Sequence, residues 1–169
     1  MENNRLDPWW VTGIVDGEGS FNARKVPEEN TIALSLRISL RADDSRILEK
    51  IKDFFGTGII YYPRQRTAKS LLKFGIRNAH PCVTYEIFSK KDFLNVIIPH
   101  FDCYPLQSKK KKDYEICREI ACFPYPCRFH GLLPEYLLHL VDELKRQRQY
   151  NELQTKMWLP KRKPPPKLL

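Results

Sequence analysis

Two acidic residues that could bind a metal ion, Asp16 and Glu18, lie among glycines near the N-terminus, in an apolar run, WVTGIVDGEG, that ends at Gly19. Asp7 followed by Pro8 predicts that a helix begins just before this run, because aspartate favours the N-cap and proline the first helical position. Gly19 predicts the end of that helix. Glu18 would then lie in the last turn, where a carboxylate meets the negative end of the helix dipole and needs a compensating cation.

The predicted helix has one face without side chains. Gly13 and Gly17 are four residues apart and therefore lie on the same side, so a second helix could approach closely there. If two such helices pack side by side, two Glu18 carboxylates and several backbone carbonyls converge, and a site with only oxygen ligands suits a hard cation such as Mg²⁺. A symmetric homodimer supplies the second helix.

A run of four lysines, Lys109 to Lys112, could bind phosphate. The run opens a predicted helix from Ser108 to Cys122, with Ser108 as its cap. Four cations at a helix N-terminus are unfavourable for the dipole unless an anion is bound. We therefore expect these lysines to contact phosphate groups, although a solvated helix start is the alternative.

These candidate residues are positioned by a predicted order of helix, two strands, helix, two strands and further helices. The stretch Thr31 to Arg41 is the clearest strand, because apolar residues alternate strictly with hydroxyl and guanidinium side chains. The predicted strands are residues 20–26, 31–41, 59–62 and 83–89, with 71–76 as strand or hairpin. After the first helix, the predicted helices run from Asp43 or Asp44 to the turn at Gly56–Gly58, and over 91–100, 108–122 and 132–150.

Composition predicts a soluble, globular protein with a polyanionic partner. The chain has 169 residues, 42% hydrophobic and 29% charged, with a formal net charge of +9, and such a positive excess favours nucleic acid. We expect one domain over residues 1–159 and a basic, proline-rich tail, predicted to be disordered, over 160–169. The sequence has no hydrophobic signal core and no apolar run near the roughly 20 residues of a membrane span, so we expect no membrane partner.

The five cysteines favour an intracellular, reducing compartment. An organelle and a prokaryotic or archaeal cytoplasm remain equal alternatives. A zinc site is a further alternative, but the spacing lacks the CxxC pairs of structural zinc sites. Buried, unreactive thiols are the preferred interpretation. The residues considered for zinc are Cys117, Cys122, Cys127, His100, His130 and His139.

The segment VTGIVDGEG, Val11 to Gly19, resembles the LAGLIDADG motif of homing endonucleases and related intron maturases. Small residues occupy both packing positions, acids the sixth and eighth places and glycine the last, and Ser20 and Phe21 follow as they often do in that family. Val11 and Thr12 replace the leading Leu-Ala, and Glu18 replaces the second aspartate. The resemblance extends from about Pro8 to Asn151 and implies the family's α+β fold, αββαββα, with an antiparallel, saddle-shaped sheet and helices on one face.

The resemblance also implies a catalytic centre. With one motif per chain, the family implies a homodimer in which the Gly13 and Gly17 faces meet. Glu18 and the Gly17 carbonyl would bind Mg²⁺, for which Mn²⁺ could substitute, and Asp16 would have a supporting role. Lys109 matches the catalytic lysine, although which lysine of 109–112 acts stays open. Since residues 40–44 lack the family's glutamine, Arg41 is the substitute candidate.

The implied activity is that of a site-specific homing endonuclease, which makes double-strand breaks in a long, roughly palindromic DNA target and promotes intron or intein mobility. The alternatives are an intron RNA maturase on the same fold and a non-catalytic DNA-binding regulator. Arginine can bind guanine at two atoms, and glutamate can accept from cytosine, whereas loop lysines would hold phosphates. The predicted DNA contacts are Asn22, Arg24, Ser35, Arg37, Ser39, Arg41, Tyr61, Arg64, Arg66, Thr84, Glu86, Lys110, Lys111 and Lys112.

Overall fold

The fold consists of one four-stranded antiparallel sheet with helices against one of its faces. The computed structural model describes residues 5–62, 81–124 and 133–158, with the side chains of 148–158 excepted. The predicted contacts Arg64 and Arg66, the segment 71–76, the zinc candidates Cys127 and His130 and the tail all lie outside the described residues. The strand order is β1-β2-β4-β3.

The elements follow the predicted order. The strands are β1 (Gly19–Val26), β2 (Thr31–Arg41), β3 (Ile59–Tyr61) and β4 (Cys82–Ile87), and the helices are α1 (Pro8–Glu18), α2 (Ser45–Phe55), α3 (Lys90–Asp92 and Ile98–Cys103, joined by π-helical Phe93–Ile97), α4 (Lys110–Cys122) and α5 (Glu135–Trp158). A short 3₁₀ turn, Ala42–Asp44, joins β2 to α2.

The sheet separates a buried face from an outer face because side chains alternate along each strand. The buried residues of β2 are joined in the core by those of β1, β4 and all five helices, among them Val11, Val15, Phe21, Leu36, Ile38, Leu48, Tyr85, Phe101, Ile120 and Leu140. The predicted α+β class and layer order are therefore confirmed. The polar side chains of β2 lie on the opposite, outer face.

Several helix boundaries differ from the predictions for local reasons. α3 begins at Lys90 because Ser89 Oγ accepts from Asp92 N–H, and this cap also ends β4 earlier than predicted. The π-helical turn lies just before Pro99, which cannot donate a backbone hydrogen bond. α4 begins at Lys110 rather than Ser108, although Ser108 Oγ accepts from Lys110 N–H at 3.2 Å.

The last helix is displaced relative to the prediction. α5 was expected over 132–150 and instead spans Glu135–Trp158. Its first backbone bonds run from Leu137 N–H and Leu138 N–H to the carbonyl of Pro134. Within the described residues, no helix has both the length and the apolar character needed to cross a membrane.

Candidate active site and outer sheet face

Helix α1 has the predicted start and end and leaves one face open. Asp7 Oδ1 accepts from Trp10 N–H at 3.1 Å, and Gly19 N–H donates to the Val15 carbonyl. A Cβ added at Gly13 or Gly17 would meet no atom within 4 Å. Trp10, on the same side of the helix, is 42% exposed, so this face is accessible and partly apolar.

The two acids of the motif point to different surroundings. Glu18 is exposed at the end of α1. Asp16, for which a supporting role is predicted, accepts from the backbone N–H of Gln107 at 2.8 Å and of Ser108 at 3.2 Å. Asp16 thus holds the segment before α4 against α1. This contact places the lysine run at the C-terminal end of α1.

The lysine that reaches the end of α1 is Lys110. Its Nζ donates to the Gly17 carbonyl at 2.6 Å and to the Val15 carbonyl at 3.3 Å, whereas Lys109 is exposed. Burial lowers the pKa of the Lys110 ammonium, and the Glu18 and Asp16 carboxylates act in the opposite direction. Lys110 is therefore the cation that a carboxylate in the last turn of a helix requires. Lys111 and Lys112 remain exposed.

The end of α1 offers few donor atoms for a metal ion within one chain. Within the described part of one chain, no three His, Cys, Asp or Glu side chains form a group that could hold a metal ion. One chain offers the Glu18 carboxylate and the Gly17 carbonyl, both oxygen donors of the kind that Mg²⁺ binds. Of the zinc candidates, Cys117 is buried and Cys122 is exposed.

Arg41 has a local partner. Its Nη2 lies 2.8 Å and its Nε 3.2 Å from the Asp43 carboxylate oxygens. The described hydrogen bonds of its side chain all go to Asp43, in the 3₁₀ turn after β2. The structure thus does not bring Arg41 into contact with the end of α1.

The outer sheet face carries cross-strand polar pairs. Arg37 Nε donates to Glu86 Oε1 at 2.7 Å, and the hydroxyls of Ser39 and Thr84 are 2.9 Å apart. Tyr61 continues the second row, opposite Thr84, and is 46% exposed. Cys82, opposite Arg41 in the register, completes this side of β4.

One predicted contact needs correction. Ser35 was expected to be available on the outer face, but it is only 7% exposed. It lies opposite Asn22 in the β1–β2 register. Because it is buried, it lies at the bottom of a groove on the outer face rather than at the edge of that groove.

That groove, of about 510 Å³, lies on the outer sheet face. Besides Ser35 it is lined by Asn22, Arg24, Arg37, Tyr61, Glu86 and Phe88, and by Lys145 from α5. The sequence pattern does not predict Lys145 as part of this groove, because the periodicity of α5 indicates only which residues enter the core. The position of α5 beside β1 depends on tertiary packing, which the sequence pattern does not predict.

One buried polar residue, His100, belongs neither to the end of α1 nor to the outer sheet face. His100 Nε2 lies 3.2 Å from Thr12 Oγ1, and the Thr12 hydroxyl also donates to the Tyr104 carbonyl at 3.1 Å. Phe54, Phe55 and Phe101 lie edge-on to the imidazole. Burial lowers the pKa of His100 to about 4, so the ring is neutral and structural.

Comparison with known proteins identifies relatives of this arrangement. The sequence profile described as "LAGLIDADG endonuclease" matches residues 11–121. The "Probable intron-encoded endonuclease 3" of Neurospora crassa is 35% identical over 118 residues, which are 67% of this chain and 19% of that protein. The "Uncharacterized 50.9 kDa protein in ND4 intron 1" of Podospora anserina is 36% identical over 121 residues, 68% of this chain and 23% of that protein. The chain therefore spans about a fifth of the length of these two relatives.

Solved structures share the fold. The meganuclease I-AabMI, solved bound to uncleaved DNA, has a TM-score of 0.52 and 31% identity, over 68% of this chain and 35% of that chain. I-LtrWI, a LAGLIDADG homing endonuclease solved bound to target DNA, has a TM-score of 0.62 over 87% of this chain and 45% of that chain. Its identity of 22% shows likeness of fold alone.

Proposed function

Because the chain belongs to the LAGLIDADG endonuclease family, we propose that it is a site-specific homing endonuclease. It cuts both strands of a long, roughly palindromic DNA target by metal-dependent phosphodiester hydrolysis and so promotes the mobility of an intron or intein. The observation that carries this proposal is the end of α1, where Glu18 is exposed and the Lys110 ammonium donates to the carbonyl of the adjacent Gly17.

The active form is a symmetric homodimer. One chain supplies one Glu18, and the open face of Gly13 and Gly17 allows a second α1 to lie alongside. A two-fold axis along this contact brings two carboxylates and two Gly17 carbonyls together. The dimer also joins two outer sheet faces, which explains a long target with two related halves.

The oxygen donors of Glu18 and Gly17, one set from each chain, would hold Mg²⁺, with Mn²⁺ as a substitute. Such an ion would supply Lewis-acid chemistry there, namely the activation of water for attack on phosphorus and the stabilisation of charge on the leaving 3′ oxygen. The protein's part is to fix these donors at the end of α1. Asp16 contributes because its hydrogen bonds tie this end of α1 to the segment before α4.

Lys110 takes the role that the family resemblance gave to Lys109. Its Nζ is 2.6 Å from the Gly17 carbonyl, and it would turn from this carbonyl to a phosphate oxygen when the ion binds. The ammonium stabilises the negative charge that develops on the phosphate and orients the attacking water. Lys109, Lys111 and Lys112 are exposed and hold the DNA backbone.

DNA lies against the outer sheet face. The DNA-bound state of I-AabMI supports this partner, as does the net charge of +9. A two-stranded ribbon fits the major groove, where base edges are distinguishable. The compartment in which this happens stays a prediction.

The test uses a randomised duplex DNA library. The purified protein first selects duplexes in Ca²⁺, and the selected duplex is then incubated with Mg²⁺. We expect discrete double-strand cuts by the wild type and no cuts by Glu18→Gln, which keeps the shape of the side chain and loses its charge. The mass of the DNA complex, measured by sedimentation, should correspond to two chains for one duplex.

Each alternative function gives a different result. Selection of a duplex without cutting in Mg²⁺ or Mn²⁺ would indicate a DNA-binding regulator. Preference for a parallel randomised RNA pool would indicate an intron RNA maturase. A single chain on the selected duplex would contradict the homodimer.

A further inference from the structure

We propose that Glu86 is a positioning residue that holds Arg37 for contact with the guanine of one G·C base pair in each half of the DNA target. The inference rests on the proposed function, because it requires the outer sheet face to lie against DNA. It assigns one base of the target to one pair of side chains.

The two side chains lie in one row across the sheet. In the strand register, Ser20 is opposite Arg37, Arg37 is opposite Glu86, and Glu86 is opposite Ile59. All four project from the outer face. Arg37 Nε donates to Glu86 Oε1 at 2.7 Å, the length of a strong hydrogen bond between charged groups.

This contact restricts how Arg37 can meet a base. Its Nε–H is directed to Glu86, while the terminal Nη1 and Nη2 groups form the end of the guanidinium. The Arg37 side chain is 52% exposed, so this end is accessible. Two terminal donors match the O6 and N7 acceptors of guanine, and a fixed guanidinium loses less side-chain freedom on binding.

Glu86 itself is poorly placed to read a base. Its side chain is 12% exposed, against 52% for Arg37. It lies between Arg37 and Ile59 in the row. A carboxylate at this depth reaches its neighbour on the sheet more readily than a base edge above it, so its effect on DNA passes through Arg37.

The charge of Glu86 also needs an explanation on a surface that binds a polyanion. Among the described residues that line the groove, Glu86 is the one acid, and Arg24, Arg37 and Lys145 are the cations. A carboxylate here repels phosphates and lowers the affinity for DNA in general. A gain in specificity through Arg37 accounts for its presence.

A second arginine pair on the same strand provides a matched control. Arg41 pairs with Asp43, but Asp43 lies in the 3₁₀ turn outside the sheet and its side chain is 62% exposed. Asp43→Asn removes one negative charge beside an arginine of β2 without touching the Arg37 row. It therefore reports how the loss of one nearby negative charge affects the base pair that Arg37 contacts.

The experiment compares base preferences selected from the randomised duplex library in Ca²⁺. The variants are Arg37→Ala, Glu86→Ala, Glu86→Gln, the Arg37→Ala/Glu86→Ala double variant and Asp43→Asn. We expect Arg37→Ala to lose a G·C preference of roughly 10-fold to 100-fold at one position in each half-site, and to bind all duplexes more weakly.

Glu86→Ala should lose much of the preference at the same position, yet bind non-selected duplexes as tightly as the wild type or more tightly. Glu86→Gln should retain part of the preference, since its amide oxygen can still accept from Nε. The double variant should resemble Arg37→Ala. Asp43→Asn should raise general affinity and leave the preference at the Arg37 base pair unchanged.

Four results would overturn the inference. Three are an unchanged profile in Glu86→Ala, a lost preference at a different base pair from that of Arg37→Ala, and additive losses in the double variant. The fourth is a lower thermal midpoint of Glu86→Ala with an equal weakening at every position, which would show that Glu86 has only a structural role. If the wild type selects no sequence at all, the proposed function itself fails, and that outcome is distinct from the other four.

Discussion

At the scale of single residues, the contact between Lys110 and the Gly17 carbonyl is the feature on which the catalytic proposal depends most. Consecutive residues on a helix project about 100° apart, so the other lysines of the run each point at least about 100° away from the direction that Lys110 takes. Asp16 fixes the direction of approach by accepting from Gln107 and Ser108 N–H. Lys110 is the lysine whose ammonium contacts the Gly17 carbonyl.

We predict that Lys110→Met slows cleavage by about 100-fold or more, since a positioned group that stabilises charge or transfers a proton commonly contributes this much. Lys109→Met, the matched control, should change the rate by no more than about 3-fold, because it removes only an exposed phosphate contact. The measurement is single-turnover cleavage of the selected duplex at saturating protein.

Binding of the same duplex in Ca²⁺ shows whether the loss lies in chemistry. Lys110→Met should bind within a few-fold of the wild type. A larger rate loss in Lys109→Met than in Lys110→Met would return the role to Lys109 and contradict the assignment made from the α1 contact.

At the scale of elements, α1 combines two faces with opposite tasks. Val11 and Val15 are fully buried in the core, whereas Gly13 and Gly17 have open space where a side chain would be. A helix of this kind is stable in one chain and still lacks cover on its second face. In the proposed homodimer, a second α1 supplies that cover.

We predict that Gly13→Leu separates folding from assembly. Leucine has a higher helix propensity than glycine by nearly 1 kcal/mol, and its Cβ meets nothing within 4 Å in the single chain. The thermal midpoint of the isolated chain should therefore stay equal or rise, while dimerisation and cleavage are lost. Sedimentation equilibrium and differential scanning calorimetry measure the two properties.

Gly19→Ala is the contrasting variant on the same segment. A Cβ there would lie 2.6 Å from the Val15 carbonyl oxygen and 2.8 Å from Val15 Cγ1, so this variant should lower the midpoint. A Gly13→Leu protein that unfolds like Gly19→Ala, or that still forms dimers, would refute the proposed role of the open face.

The elements also show what the sequence could and could not predict. The start of α1 at Asp7 and Pro8, and the alternation of β2, are set by neighbouring residues and were predicted correctly. The Arg37–Glu86 pair joins residues 49 positions apart and depends on the register between β2 and β4, which no local pattern specifies. The same limit applies to Lys110, whose direction depends on Asp16 and on the bounds of α4.

At the scale of the whole molecule, His100 links three helices through the core. It lies on α3, contacts Thr12 of α1 and packs against Phe54 and Phe55 of α2. Protonation would place a charge among aromatic rings, and burial therefore holds the pKa of His100 at about 4. The cohesion of α1 with the rest of the fold depends on a neutral imidazole.

This linkage gives a pH dependence with a definite sign. In the unfolded chain the imidazole takes up a proton near pH 6.5, and in the folded protein only near pH 4. Between these values the unfolded state binds more protons, so stability falls as the pH falls from about 6.5 towards 4. The shift corresponds to at most about 3 kcal/mol of unfolding free energy.

We predict that His100→Phe removes this part of the acid sensitivity. Phenylalanine suits the aromatic surroundings, and the Thr12 hydroxyl keeps its bond to the Tyr104 carbonyl. Guanidinium chloride unfolding at intervals from pH 7 to pH 4 gives the free energy for each protein. The wild type should lose up to about 3 kcal/mol more than the variant over this range, since carboxylates contribute equally to both. Parallel curves would show that His100 does not couple the stability of the fold to pH.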